Sequence, residues 1–261
     1  MSIVYGPVPS WRLGRSLGLD LISTRGKTCS FDCVYCQLGR TVHHTAERQV
    51  FVETEQLQAE LAGLPAVEMD TVTFSGTGEP TLAANLGEAL NLVHDWSARR
   101  GVPTAVLTNA SLLSRPDVRR DLARADLVVA KLDAPNEALL QAINQPIANI
   151  TWVDVMDGIR ALRQESAGRL ALQMMFVAAN RDQAAAMAEL ARSLEPDEVQ
   201  LNTPLRPSPT PPLSRPEMAE IEAAFVGVPV RNVYAEPQAP VIPLDETDMR
   251  RRRPAEGSRG V

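Results

Sequence analysis

The chain has 261 residues, of which 44% are hydrophobic, and a formal net charge of −6 at pH 7. This composition allows a sizeable core and disfavours a protein that binds nucleic acid through its whole surface. No apolar run is long enough to cross a bilayer, and the N-terminus lacks a basic region followed by an apolar stretch, so we expect a cytoplasmic protein without membrane attachment.

Short apolar runs alternate with helical patterns along most of the chain. Their Val and Leu content, without clean polar alternation, is typical of buried parallel strands. Helix start signals lie between them, for example Ser214 three residues before Glu217. The predicted strands are Leu17–Ile22, Thr71–Ser75, Thr104–Thr108, Leu127–Leu132, Leu170–Val177 and Glu198–Asn202.

Repeated strand-then-helix units predict an α/β fold with a parallel sheet. Six strands are too few for a closed eight-stranded barrel, so we expect a partial, open (βα)6 barrel of the TIM type, with ligands bound at the carboxyl ends of the strands. We expect one domain over residues 1–244. The charged segment 245–261, which contains Arg250–Arg253, is predicted to be a flexible tail.

All three cysteines lie in one short segment, Cys29-Ser-Phe-Asp-Cys33-Val-Tyr-Cys36, after the first predicted strand. Such clustering in a cytosolic chain argues for metal or redox chemistry and against a disulfide framework. Thiolates suit iron–sulfur clusters, zinc or copper(I). A [4Fe–4S] cluster normally takes four thiolates, so three would leave one iron open to a small molecule. A structural zinc site completed by His43 or His44 is the alternative.

A glycine-rich loop, Gly76-Thr77-Gly78-Glu79-Pro80, follows the second predicted strand. Glycines there allow a ligand to approach the backbone closely. Glu79 places a carboxylate at the end of the strand, where it would suit an ammonium group. Taken alone, the segment is also typical of an ordinary structural turn.

Taken together, the CxxxCxxC segment and the GxGEP loop about forty residues later resemble the radical S-adenosylmethionine (SAM) superfamily. In that family three cysteines hold a [4Fe–4S] cluster, and the amino and carboxylate groups of SAM chelate the fourth iron. The resemblance therefore implies that Cys29, Cys33 and Cys36 are the cluster ligands. It also places the aromatic ring of Tyr35 near the adenine.

The same resemblance assigns residues to SAM itself. Gly78 and Glu79 match the family's GGEP loop, which holds the methionyl ammonium, whereas Thr77 stands where the family has its first glycine and Gly76 precedes it. Asn109 lies in a Thr-Asn-Ala segment that is similar to the family's TNG. Asp133, at the end of another predicted strand, is a further candidate contact.

The resemblance is closer than the superfamily level. Tyr5–Ser10, Leu13–Gly18 and Lys27–Gly39 are similar to the bacterial radical SAM proteins grouped with the wyosine tRNA synthetases. The wyosine-forming enzymes are associated with a second cluster held by additional cysteines. This chain departs from that pattern because it has three cysteines in all.

The implied chemistry is reductive. An external donor such as flavodoxin or ferredoxin would reduce the cluster, which then cleaves SAM to methionine and a 5′-deoxyadenosyl radical that abstracts hydrogen from the substrate. Three substrate classes stay open: an RNA base, a protein or peptide as for glycyl-radical activases, and a small metabolite. A non-catalytic zinc-binding module is a fourth hypothesis.

Overall fold

The computed structural model describes residues 2–253, and a curled sheet with helices packed against it forms the body of the molecule. The strands in chain order are β1 (Val4–Ser10), β2 (Gly14–Leu19), β3 (Thr28–Cys29), β4 (His43–His44), β5 (Thr71–Phe74), β6 (Thr104–Thr108), β7 (Leu127–Lys131), β8 (Arg169–Met175), β9 (Glu198–Asn202) and β10 (Val230–Asn232). The helices are α1 (Thr54–Ala62), α2 (Leu86–Ala98), α3 (Pro116–Leu122), α4 (Glu137–Ile143), α5 (Trp152–Glu165), α6 (Ala184–Leu194), α7 (Arg215–Glu222) and α8 (Glu246–Arg252).

The main sheet has the strand order β1-β2-β5-β6-β7-β8-β9-β10. From β2 to β10 every neighbouring pair is parallel, and β1 adds an antiparallel edge. This curled half-barrel confirms the predicted partial TIM-type fold, and the six predicted strands are six consecutive members of its parallel part, β2 and β5 to β9. The edge strands were not predicted, because β1 contains two prolines and β10 is three residues long.

Some of the helices begin at residues whose side chains cap them. Ser214 and Glu217 form a reciprocal capping box at the start of α7, which confirms that start signal. The main core joins strand residues such as Val106 and Leu172 to helix residues such as Leu90. Within residues 2–253, no helix combines the length and apolarity needed to cross a membrane.

The structure differs from the sequence expectation at the start of the predicted tail. Arg252, on α8, is buried with 1% of its surface exposed. Its Nε donates to Asp20 Oδ2 at 2.8 Å, and its guanidinium lies 4.6 Å from the centroid of the Tyr5 ring. The charge of this segment alone predicted a solvent-exposed tail, because the carboxylate that pairs with Arg252 lies 232 residues away in the chain. The rest of the predicted tail, residues 254–261, lies outside the described residues.

We expect Arg252→Met to lower the free energy of unfolding by about 3–5 kcal/mol, because removing one member of a buried ion pair leaves the other charge uncompensated. Arg251→Met, one residue earlier on the exposed side of α8, is the matched control and should change it by less than about 0.5 kcal/mol. Urea denaturation of both variants measures the difference. Equal stability of the two variants would show that α8 is not anchored through Asp20.

Candidate active site

A cavity of about 500 Å³ lies at the carboxyl ends of the parallel strands, a volume typical of small-molecule sites. It is lined by all three cysteines and by most of the site residues predicted from the sequence. Those are Cys29, Cys33, Tyr35, Cys36, Gly76, Gly78, Glu79 and Asn109. The fold therefore brings together residues that come from separate loops.

The cysteine loop is anchored from two sides. The backbone N–H of Val34 donates to the Ile143 carbonyl at 2.9 Å, at the end of α4. From the proline-rich segment after β9, the Ser208 hydroxyl donates to the Tyr35 carbonyl at 3.0 Å and the Thr210 hydroxyl donates to the Val34 carbonyl at 2.9 Å. These contacts hold the loop against the open end of the half-barrel.

A buried ammonium group lies among the three cysteines. Within residues 2–253, Lys27 Nζ is buried without a hydrogen-bond acceptor, and it lies 3.9 Å from Asp32 Oδ1. Burial alone lowers the pKa of Lys27, but the thiols of Cys36, Cys29 and Cys33 together raise it above its ordinary value. A buried cation beside three thiols, with no hydrogen-bond acceptor for its nitrogen in the described residues, fits a group that carries negative charge at the thiolates.

Burial also acts on the thiols themselves. It raises the pKa of Cys29 to about 12 and raises the pKa of Cys33, while the ammonium of Lys27 opposes both shifts. Two side-chain amides point at sulfur: Asn109 Nδ2 lies 3.5 Å from Cys29 Sγ and Asn144 Nδ2 lies 3.4 Å from Cys33 Sγ. Amide donors and a cation are the groups that stabilise thiolate ligands.

The histidines do not complete a zinc site with these cysteines. Both residues of β4, His43 and His44, are exposed, and His44 Nε2 lies 2.9 Å from the Ser30 carbonyl oxygen. In the described part of the chain, no group of three or more His, Cys, Asp or Glu side chains is arranged to hold a single metal ion.

Glu79 is buried and its carboxylate is saturated by protein donors. Oε1 accepts from the Thr81 backbone N–H at 3.1 Å and from the hydroxyls of Thr81 and Thr108 at 2.7 Å each, and Oε2 accepts from the Asn109 backbone N–H at 2.6 Å. Burial raises the pKa of Glu79 and these donors oppose the shift. Because two carboxylate oxygens offer about four acceptor positions, Glu79 organises the loop more than it faces a ligand.

The glycines of this loop are required by close contacts within the protein. A Cβ at Gly78 would overlap the Thr28 carbonyl oxygen, and a Cβ at Gly76, whose φ is +155°, would overlap the side chain of Asp20. Thr77 does not line the main cavity and contributes instead to a second one. The carbonyl oxygens of Gly76 and Gly78 accept no hydrogen bond from residues 2–253, so they are the open acceptors of the loop.

Asp133 is buried behind Tyr35 and does not line the cavity. It accepts hydrogen bonds from the Tyr35 hydroxyl, from Asn144 Nδ2 at 2.7 Å and from the Met175 backbone N–H at 2.8 Å. Lys131 Nζ lies 3.3 Å from the same carboxylate. The structure therefore places Asp133 where it orients Tyr35, and its predicted contact with a cofactor stays a prediction.

Several groups at the site were not predicted as site residues. Asp20 accepts from the Thr77 backbone N–H at 3.1 Å, so it ties the glycine loop to β2 and to α8. Lys27 stands two residues before the first cysteine. Its position next to the cysteine run is the sequence signal that could have identified it as a site residue. Asn144 carries no such signal because its partners come from other loops.

The family model described as the Radical SAM superfamily matches residues 23–191. The chain belongs to the radical SAM superfamily. The match confirms the resemblance read from the two motifs, and it implies an enzyme that uses radical chemistry of SAM.

Similar proteins agree with this assignment. A UPF0026 protein of Synechocystis sp. is 47% identical over 207 residues, covering 79% of this chain and 77% of that protein. A UPF0026 protein of Methanocaldococcus jannaschii is 36% identical over 235 residues, covering 87% and 71%. The chain thus belongs to the UPF0026 group of radical SAM proteins.

Solved structures share the fold. Streptococcus suis SuiB bound to S-adenosylmethionine matches with a TM-score of 0.59 at 12% identity, over 79% of this chain and 48% of that chain. Archaeal TYW1 matches with a TM-score of 0.54 at 16% identity, over 82% and 72%. These likenesses show that both structures share the fold of this chain.

We expect Gly78→Ala to destabilise the protein without cofactors by about 1–3 kcal/mol, because the added Cβ overlaps the Thr28 carbonyl and must displace the strand that carries Cys29. Gly63→Ala is the matched control, since a Cβ at the end of α1 meets only ordinary contacts. Urea denaturation compares the two. A Gly78→Ala protein as stable as the control would contradict the packing role.

Proposed function

We propose that this radical SAM protein binds one [4Fe–4S] cluster through Cys29, Cys33 and Cys36 and cleaves SAM reductively. The observation that carries the proposal is the set of three cysteines that line one cavity, together with the buried ammonium of Lys27. When bound, the reduced cluster would supply the electron that converts SAM into methionine and a 5′-deoxyadenosyl radical for hydrogen abstraction. Flavodoxin or ferredoxin is the class of electron donor expected.

The residues around the cysteines fit this group. The thiolates supply soft ligands, and three of them leave one iron free for SAM. Lys27 offsets their negative charge, and Asn109 and Asn144 donate toward sulfur. Hydrogen bonds to sulfur and nearby charge are the means by which a protein tunes such a cluster.

The glycine loop fits the methionyl end of SAM. An ammonium group needs hydrogen-bond acceptors, and the open ones beside the cysteines are the carbonyl oxygens of Gly76 and Gly78. The role proposed for Glu79 is to hold this loop and Asn109 in place. Tyr35, fixed through Asp133, presents its ring to the same cavity and is the proposed neighbour of the adenine.

The substrate classes that the sequence leaves open are an RNA base, a protein or peptide, and a small metabolite. The acidic chain and the pairing of the exposed Arg250 with Glu246 at 2.8 Å weaken the argument for RNA that rested on the arginine run. The size of the cavity favours a small substrate.

Anaerobically purified protein should contain about four irons per chain, as one cubane cluster requires. Cys29→Ala, Cys33→Ala and Cys36→Ala should each abolish the cleavage of SAM to 5′-deoxyadenosine by dithionite-treated protein, because no other thiol is available in the sequence. Iron analysis and chromatography of the products measure both. One zinc per chain, with no cluster on reconstitution, would overturn the proposed function.

Lys27→Met should lower the reduction potential of the reconstituted cluster by roughly 60 mV, which corresponds to about 1.4 kcal/mol for a one-electron couple. The sign follows because reduction adds negative charge, which a buried cation stabilises. Arg40→Met is the matched control, since Arg40 contacts the same Asp32 from an exposed position. Titration followed by electron paramagnetic resonance measures the potential. Equal potentials in the two variants would show that Lys27 does not act on the cluster.

A further inference from the structure

Three arginines from separate segments of the chain line the same cavity as the cysteines. Arg12 follows β1, Arg206 follows β9 and Arg253 follows α8. The Nε and Nη1 atoms of Arg12 and the Nη1 atom of Arg253 are buried, and no group in residues 2–253 accepts a hydrogen bond from them. Guanidinium N–H groups that are buried without acceptors cost free energy, so the arrangement calls for an anion.

The neighbouring acceptors do not neutralise these arginines. Arg206 Nη1 donates to the side-chain oxygen of Gln37 at 3.1 Å, which is a neutral acceptor. The carboxylate of Glu198 raises the pKa of Arg12 but lies 3.9 Å from Arg169 and, within the described structure, forms no ion pair with Arg12. The cavity thus holds positive charge without matching negative charge.

The three guanidinium groups also repel one another. Burial, together with the charges of Arg206 and Arg231, lowers the pKa of Arg12 to about 10. Burial lowers the pKa of Arg206, and it lowers the pKa of Arg253 together with Arg206 and Arg12. Three cations that disfavour one another's charged form are stabilised together by one ligand of opposite charge.

Two of the arginines lie away from the strands that carry the proposed SAM contacts. Gly76–Glu79 and Asn109 follow the middle strands β5 and β6, whereas Arg12 follows the edge strand β1 and Arg206 follows β9, the neighbour of the other edge strand. Arg231, on β10, donates to the backbone carbonyls of Trp11 at 2.7 Å and Arg12 at 2.9 Å, which connects the two edges. An anion held by Arg12 and Arg206 would therefore lie at other strand ends than the proposed SAM contacts.

We propose that Arg12, Arg206 and Arg253 bind the phosphate group of a small phosphorylated substrate. As a substrate site, the assignment rests on the proposed function. Guanidinium groups bind phosphate and carboxylate in a bidentate manner, and a phosphate monoester carries about −1.5 to −2 charges at pH 7, which matches several cations better than one carboxylate does. A small molecule is favoured over RNA because the nitrogens are buried inside the cavity.

The test uses the full chain with inorganic phosphate and glycerol phosphate as probes, and acetate and a single-stranded RNA as comparisons. Both phosphates should raise the thermal denaturation midpoint in a saturable manner, since a ligand stabilises the folded state that binds it. Arg12→Met and Arg206→Met should each weaken phosphate binding roughly ten- to a hundredfold, as loss of a hydrogen bond to a charged group does. Arg99→Met, at the exposed end of α2, should bind as the unaltered chain does.

A second readout separates binding from a structural role. Without phosphate, Arg12→Met should be at least as stable as the unaltered chain, because it removes a buried, unpaired charge. Marked destabilisation would show that Arg12 supports the fold instead, and would overturn the proposal. Glu256 follows Arg253 by three residues in the sequence. An increase in phosphate affinity on Glu256→Gln would identify its carboxylate as the natural ligand of the arginines and would also overturn the proposal.

The comparison probes decide the ligand class. Tighter binding of RNA than of phosphate, lost in the arginine variants, would assign the site to a nucleic acid and overturn the small-molecule proposal. Acetate binding as tight as phosphate binding would assign the site to a carboxylate ligand and overturn the phosphate proposal. A chain that binds iron and cleaves SAM but is not stabilised by phosphate would overturn this inference alone. A chain that binds phosphate but takes up no iron would overturn the proposed function and leave the anion site intact.

Discussion

The buried carboxylate of Glu79 is the interaction on which the arrangement of the site depends. It begins the short helical turn after the glycine loop and accepts the hydroxyl of Thr108 and the backbone N–H of Asn109 at the end of the neighbouring strand. Asn109 in turn donates to Ser30 Oγ at 2.9 Å and points at Cys29. One carboxylate thus links two strand ends to the cysteine loop, and burial makes each of these hydrogen bonds costly to lose.

Charge is distributed unevenly around the cavity. The carboxylates near its walls, Glu79, Asp133 and Asp20, accept hydrogen bonds from protein groups on both oxygens. The cations Lys27 and Arg12, by contrast, have buried nitrogens without acceptors in the part of the chain that the structure describes. These carboxylates are therefore satisfied within the protein, whereas the nitrogens of Lys27 and Arg12 leave hydrogen-bond donors available, as the proposed cluster and anion sites require.

Helix α8 shows how a charged segment becomes part of the fold. Asp20 lies at the end of β2, where its oxygens accept from the backbone of Ser23 and Thr77 and from the buried guanidinium of Arg252. This connection places Arg253, the next residue, on the cavity wall. The segment that looked like a solvated tail thus supplies one wall of the cavity.

Local information determined the half-barrel and its motifs. The sequence alone predicted the features that depend on neighbouring residues, namely the six buried parallel strands, the capping box of α7, the cysteine run and the glycine loop. The family resemblance followed from the last two of these motifs. Only the tertiary structure decided the rest. Asp20 with Arg252 and Asn144 with Cys33 join residues more than one hundred positions apart, and Arg12, Arg206 and Arg253 reach one cavity from three separate segments. A sequence pattern carries no record of such contacts, because the folding of the sheet, not the spacing along the chain, brings the partners together.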